Sequence, residues 1–290
     1  MNGLGVAHLT ALELTPDALV REAARAGFSS VGLRLHPAMA GGIAYPLAPG
    51  SQALQQLKTT LDSEGVVVNE IEFVELTPQV DVEGFASLLE SGAQLGARCL
   101  TVSGDDPEQC RLTDNFAAVC ELAAGYGLRV DLEFMRWRHI GNLQQAVALI
   151  AAAGQANGGV LLDALHLFRS GGNAAAVAQL DRRYIHGVQW CDAPALAPTG
   201  EGIIREAREG RLPPGQGQLP LAELLDVLPT GLHWSVEIPC PATGAPERLA
   251  QAFTITRAWL ASHSLPCTFL KRPAWQRAPC ASGTMDFRRH

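Results

Sequence analysis

Short apolar, β-branched runs alternate along the chain with longer stretches in which apolar positions recur at helical spacing. The runs predict strands at about Leu4–His8, Ser30–Leu35, Val66–Phe73, Arg98–Ser103, Leu128–Phe134, Gly159–Asp163, Ile185–Trp190 and Leu232–Ile238. Between them the spacing predicts helices near Pro16–Ala26, Ser51–Glu64, Val82–Leu95, Leu112–Gly125, Leu143–Ala153, Ala174–Leu180 and Leu221–Leu228, with a last one over about Pro246–Ser262.

The punctuation agrees with these boundaries. Thr15-Pro16 reads as an N-cap followed by proline at the first helical position. Gly27, Gly65, Gly96 and Gly127 each stand just past a predicted helix, where a left-handed residue closes it. "ARAGFSSVGL", "DSEGVVV", "AQLGARCL" and "AGYGLRV" repeat one device of helix, glycine and strand. Repeated βα units mean a parallel sheet, and eight of them close a single (β/α)8 TIM barrel over residues 1–262. A doubly wound sheet would carry a glycine-rich loop after its first strand, and "VAHLTALELTP" contains no glycine. Residues 263–290, with five Lys or Arg against one Asp and three prolines, are expected to form an irregular C-terminal tail. Cys191–Gln218, a long connection after the seventh strand, is expected to act as a lid over the barrel mouth.

Composition narrows the class. Apolar residues are 47% of the 290 and charged residues 18%, enough to bury a large core. A net charge of -7 disfavours nucleic acid as a partner. No stretch reads as a signal peptide, and no apolar run approaches the roughly 20 residues that span a bilayer, so no membrane partner is expected. Seven cysteines without paired spacing predict free thiols in a cytoplasmic protein rather than disulfides or a thiolate zinc site.

Polar residues at the C-terminal ends of barrel strands face the mouth. The fifth strand ends "VDLEFM" with Glu133, and the sixth, "GVLLDALH", ends with Asp163 and is followed by His166. The seventh, "IHGVQWCD", carries Gln189 and the eighth, "LHWSVEIP", ends with Glu237. Any one of these acids could pair with Arg34, Arg136, Arg138 or Arg208. Three acids and an amide in register point instead to a shared cation, because isolated buried carboxylates are costly. Oxygen-rich donors suit one hard divalent ion, Mn2+ or Mg2+ first, with Zn2+, Co2+ and Fe2+ also compatible.

"LEFM", "LLDALHLFRSGG", "VQWCDAP" and "VEIP" resemble, in order, the four metal-binding segments of the xylose isomerase-like TIM-barrel superfamily. That superfamily includes sugar isomerases, ketose epimerases, inosose dehydratases and dehydroshikimate dehydratases. The resemblance covers about residues 1–262 and implies metal ligands at Glu133, Asp163, Gln189 and Glu237. Many members have His at the third position. Gln there, with the loop ending "REGRLPPGQG", is most similar to bacterial 3-dehydroshikimate dehydratases. The implied activity is a metal-dependent lyase that removes a proton beside the carbonyl of a small polyhydroxylated keto substrate. The alternative is a sugar or sugar-phosphate isomerase or epimerase with the same metal site. An endonuclease IV-like reading would need more histidine ligands and a basic groove, and the chain shows neither. A homo-oligomer is compatible with the resemblance.

The remaining polar positions receive roles as candidates. His166, in the family motif Asp-x-x-His, is a proton shuttle, and Glu133 and Glu237 have free oxygens that could act as acid and base. Glu70 and Glu72 close the third strand, and the expectation is that only one faces the mouth, with Glu72 chosen as nearer the strand end. Arg34 and Arg208 are candidates for binding substrate, Arg211 and His36 stand beside them, and the arginines suit an anionic group. His8 reads as a packed, hydrogen-bonded histidine more readily than as a mouth residue. Trp137 and Trp190 are expected as apolar walls, with Trp190 equally suited to the core.

Overall fold

The computed structural model describes residues 3–39 and 41–263. Eight parallel strands close a barrel in sequence order: β1 Leu4–Val6, β2 Ser30–Arg34, β3 Val67–Leu76, β4 Cys99–Gly104, β5 Arg129–Leu132, β6 Gly158–Asp163, β7 Ile185–Trp190 and β8 His233–Val236. Pairing of Gly5 with both Ser30 and Ser235 closes the ring between β2 and β8. Among the described residues ten α-helices surround it: α1 Pro16–Ala26, α2 Gln52–Glu64, α3 Ala86–Gln94, α4 Gln109–Gly125, α5 Leu143–Ala153, α6 Ala164–Arg169, α7 Ala174–Ala178, α8 Gly202–Glu209, α9 Leu221–Val227 and α10 Ala245–His263. The expected (β/α)8 barrel is therefore the observed fold. Apart from His263, the expected tail lies outside the described residues.

The helices start where side-chain oxygens can accept the first free amides. Thr15, Ser51, Asn142 and Asn173 accept from the amides of Ala18, Leu54, Gln145 and Ala176. The core lies between barrel and helices, where Leu19, Phe116, Val119, Leu149 and Trp190 are wholly buried. Trp190 is thus core rather than mouth. The cysteines among the described residues are free thiols, as expected. No described helix is long and apolar enough to cross a membrane.

Three elements differ from expectation. β3 runs to Leu76, because beyond an irregularity at Glu72 to Val74 its end still pairs with Ser103 and Gly104. Glu75 at that end is held by Arg138. Helix α6 begins directly at the end of β6 with no intervening loop, because Asp163 caps it. Helix α8 forms inside the long Cys191–Gln218 connection, with Arg169 clamping Glu206 at 2.9 and 2.7 Å.

Gly27 caps α1 at φ 106°, and a Cβ there would also stand 2.7 Å from the Phe253 ring of α10. Gly127 has φ 75° with nothing within 4 Å of its missing Cβ. Left-handed backbone alone costs an L-residue about 1–2 kcal/mol. Gly127→Ala should therefore destabilise by about 1 kcal/mol and Gly27→Ala by about twice that or more, since steric overlap adds to the strain. Thermal unfolding followed by circular dichroism reads this as a larger drop in Tm for Gly27→Ala. Equal drops would show that the α1–α10 contact yields without cost.

Candidate active site

Each strand-end side chain reaches the mouth through its own local device. Glu133 follows β5, with its amide donating to Val102 O on β4 at 2.8 Å. Asp163 ends β6 and caps α6, its Oδ1 accepting from the His166 amide at 2.9 Å. The Asp-x-x-His spacing is therefore first a capping geometry, and it places His166 one turn above the aspartate. Gln189 lies beside Asp163 and Ser235 in the β6–β7–β8 register. Glu237 follows β8, with its amide on Trp190 O at 3.2 Å. Glu133, Asp163, His166, Gln189 and Glu237 are all buried.

Glu133, His166, Gln189 and Glu237 line a cavity of about 260 Å3 that opens at the C-terminal end of the strands, and Asp163 is buried beside them. Glu70 and Glu72 both line the cavity. That corrects the expectation of one: residues two apart on a strand share a face. Glu72 is committed to Arg34, whose Nε and Nη2 donate to Oε2 at 3.0 and 2.7 Å, while the His8 amide donates to Oε1 at 2.9 Å. Glu70 accepts from Thr101 Oγ1 at 2.9 Å and from Gln189 Nε2 at 3.4 Å. His8 is a packed histidine, its Nδ1 accepting from the Arg34 amide at 2.8 Å. Trp137 forms a wall and meets the His166 ring edge-on, with centroids 5.2 Å apart.

The residue whose role the sequence did not disclose is Arg211. It is buried and comes from the long connection after β7. Its Nη1 bonds Asp163 Oδ2, its Nη2 lies 2.8 Å from Glu237 Oε2, and its Nε donates to Ala207 O at 2.7 Å. One guanidinium thus joins two of the expected ligand carboxylates. None of the arginines weighed as ion-pair partners for Asp163 and Glu237 takes that place.

Arg34 and Arg211 do not balance this many acids, and the excess raises carboxyl pKa values. Burial, with Glu237 and Asp163 nearby, pushes the Glu133 carboxyl well above the usual range. Burial and then Glu72 push Glu70 up to about 8. Burial raises Glu237 to about 7 against the pull of Arg211. Burial would raise Asp163 as well, but Arg211 and His166 outweigh it and hold that carboxyl low. Burial also holds His166 at about 4, so its ring is neutral near pH 7.

The donor set fits a divalent cation. Glu133 Oε1 and Gln189 Oε1 are buried without a hydrogen-bond partner, and such oxygens are costly unless something positive meets them. Donor atoms of Glu133, Asp163 and His166 lie within 4.8 Å of one another. The structure therefore draws His166, expected only as a proton shuttle, into the same cluster as two expected ligands. Its Nε2 stands 3.5 Å from Glu133 Oε1 and 3.4 Å from Arg211 Nη2.

Three arginines stand at the rim. Arg34 is spent on Glu72, and Arg138 on Glu75 and Asp105. Half-buried Arg208 forms no ion pair among the described residues, and its Nη1 lies 3.9 Å from Met39 Sδ. Burial, then Arg138 and Arg34, lower its pKa, and the carboxylates of Glu209 and Glu75 offset that only in part. His36 sits apart from the cavity lining, with Nδ1 3.1 Å from Phe73 O.

The family described as xylose isomerase-like TIM barrel matches residues 20–261. A 3-dehydroshikimate dehydratase of Pseudomonas aeruginosa is 35% identical over 143 residues, which are 49% of this chain and 22% of that protein. The matched region thus spans under a quarter of that relative. Among solved structures, the IolI protein with a bound zinc atom superposes with a TM-score of 0.74 at 19% identity, covering 90% of this chain and 99% of its own. The probable 3-DHS dehydratase AsbF of Bacillus anthracis superposes at 0.69 with 13% identity, covering 88% and 99%. At these identities the structural likeness shows the fold.

Protein stripped with chelator should take up one equivalent of Mn2+ or Zn2+ per chain by calorimetry, and Tm should rise with added metal. Gln189→Ala should weaken binding roughly tenfold or more, while His166→Ala changes it little. The reverse order would move the neutral ligand from Gln189 to His166. No stoichiometric uptake of Mn2+, Mg2+, Co2+ or Zn2+ would rule out the centre.

Proposed function

The chain belongs to the xylose isomerase-like TIM-barrel family, and on that premise we propose that it is a divalent-metal-dependent dehydratase of the 3-dehydroshikimate type. The relative of that activity, 35% identical over half of this chain, supports the reading. The observation that carries it is Arg208. A half-buried cation at the mouth without a carboxylate of its own suits a substrate that brings one, and a neutral ketose brings none.

Glu133, Asp163, Gln189 and Glu237 would hold the ion, which when bound polarises a substrate oxygen. The remaining work falls to side chains. Arg208 binds the substrate carboxylate and sets the ring's orientation in the cavity. Neutral, buried His166 takes the proton from the carbon beside the carbonyl onto Nε2, the ring nitrogen that faces Glu133. That C–H bond breaks, a C=C bond forms, and the hydroxyl on the next carbon leaves. Glu70, protonated near neutral pH because burial raises it to about 8, is placed to donate the proton that makes the leaving group water. Trp137 and Phe73 line the cavity and limit access of water.

Metal-loaded protein should convert 3-dehydroshikimate to an aromatic acid, read by ultraviolet absorbance. Arg208→Ala should raise KM about tenfold to a hundredfold with little change in kcat, the loss expected for one hydrogen-bonded charge pair. His166→Ala should instead lower kcat by about two to four orders of magnitude. Turnover of neutral ketohexoses, unaffected by Arg208→Ala, would replace this reading with the epimerase one.

A further inference from the structure

We infer that Asp192 is the positioning residue for Arg211: its carboxylate gathers the 212–219 turn and thereby sets the guanidinium between Asp163 and Glu237. Asp192 follows β7 and is buried. Its Oδ1 accepts from the amides of Ala193 at 2.8 Å and Leu219 at 2.9 Å, and its Oδ2 accepts from Gly215 and Gly217, both at 2.9 Å. All the acceptor positions of a carboxylate are taken by backbone donors, so it has none left for a metal or a moving proton. The Asp192 amide donates to Leu212 O at 2.6 Å and Leu212 N returns to Asp192 O at 2.8 Å, so the residue after Arg211 is tied to the same point.

The sequence "RLPPGQG" makes this turn possible. Gly215 has φ 86° and lies against Trp259, 2.8 Å from where its Cβ would be. At Gly217 a Cβ would stand 2.4 Å from both Asp192 Oδ1 and Ala193 O. The backbone can wrap the carboxylate closely only without side chains there. Charge matters too, because each carboxylate oxygen faces two N–H donors and an Asn would turn its NH2 toward one pair. A lid that opened freely would carry Arg211 out of the site. The expected lid is instead pinned at this end, and Arg211 is delivered as part of a fixed scaffold.

The inference concerns where Arg211 sits and stands whether or not the dehydratase reading does. Its test needs neither substrate nor metal. The folded protein is treated with phenylglyoxal, and modification is mapped peptide by peptide by mass spectrometry. In the unaltered chain Arg211 and Arg248, at 2% and 4% exposure, should both be protected. Asp192→Ala should raise the modification rate of Arg211 roughly tenfold or more while Arg248 stays protected, the sign of local rather than global opening. Gly217→Ala, which keeps every site side chain and the aspartate, should do the same by forcing the turn away. Asp192→Asn, retaining one oxygen for two of the four amides, should give a smaller rise and serves if the alanine variant fails to fold. Glu206→Gln loosens the clamp on α8 and should leave Arg211 protected. Continued protection of Arg211 in the Asp192 and Gly217 variants overturns the inference. So does equal exposure of Arg248, or exposure of Arg211 in Glu206→Gln to the same degree.

Discussion

Buried carboxylates crowded at one end of a closed barrel set the terms for the rest of this molecule. Glu70, Glu72, Glu133 and Glu237 line a single mouth with Asp163 buried beside them, each on or just past a strand that cannot be moved without breaking the ring. Repulsion among such groups in a low-dielectric site must be met by protons or cations. Arg34 meets Glu72, and Arg211 meets Asp163 and Glu237 together. Glu70 and Glu133 are left to hold protons or to share a divalent ion, and their raised affinities for protons follow from that position.

The connection after β7 gains its importance from this constraint. It carries two of the cations that line the cavity from outside the strands, Arg208 and Arg211. They differ in kind. Arg211 is buried and fully engaged by protein, so it belongs to the internal balance of charge. Arg208 is half-buried and without an acid, so its charge remains available to a ligand. Two arginines three residues apart thus differ in environment, one held between carboxylates and the other without an ion pair among the described residues.

Legibility followed the range of the interactions. The barrel could be read because its signals are local and repeated: apolar runs, the Thr15 cap with its proline, and left-handed glycines after helices. The strand-end acids were legible for the same reason, since a strand's end in a barrel defines where its side chain goes. Helix α6 escaped notice because six residues leave little periodicity, and it starts without a loop. Glu70 escaped because Glu70 and Glu72 were assigned to opposite faces, although their two-residue spacing puts them on one.

The partners could not be read at all. Arg211 lies 48 residues from Asp163, and nothing near it in the chain marks it as the cation for two acids on other strands. Its place depends on a turn wrapped around Asp192, a contact between segments that only closure of the barrel brings together. The orphaned oxygens of Glu133 and Gln189 likewise exist only once neighbours have been counted in space. By itself, then, the sequence determined the barrel and the level at which its acids stand, because these follow from residue type and local spacing. Which acids are neutralised by arginine, which keep protons and which arginine is left without an ion pair was decided by tertiary structure. Charge balance is a sum over neighbours, and distant segments become neighbours only in the fold.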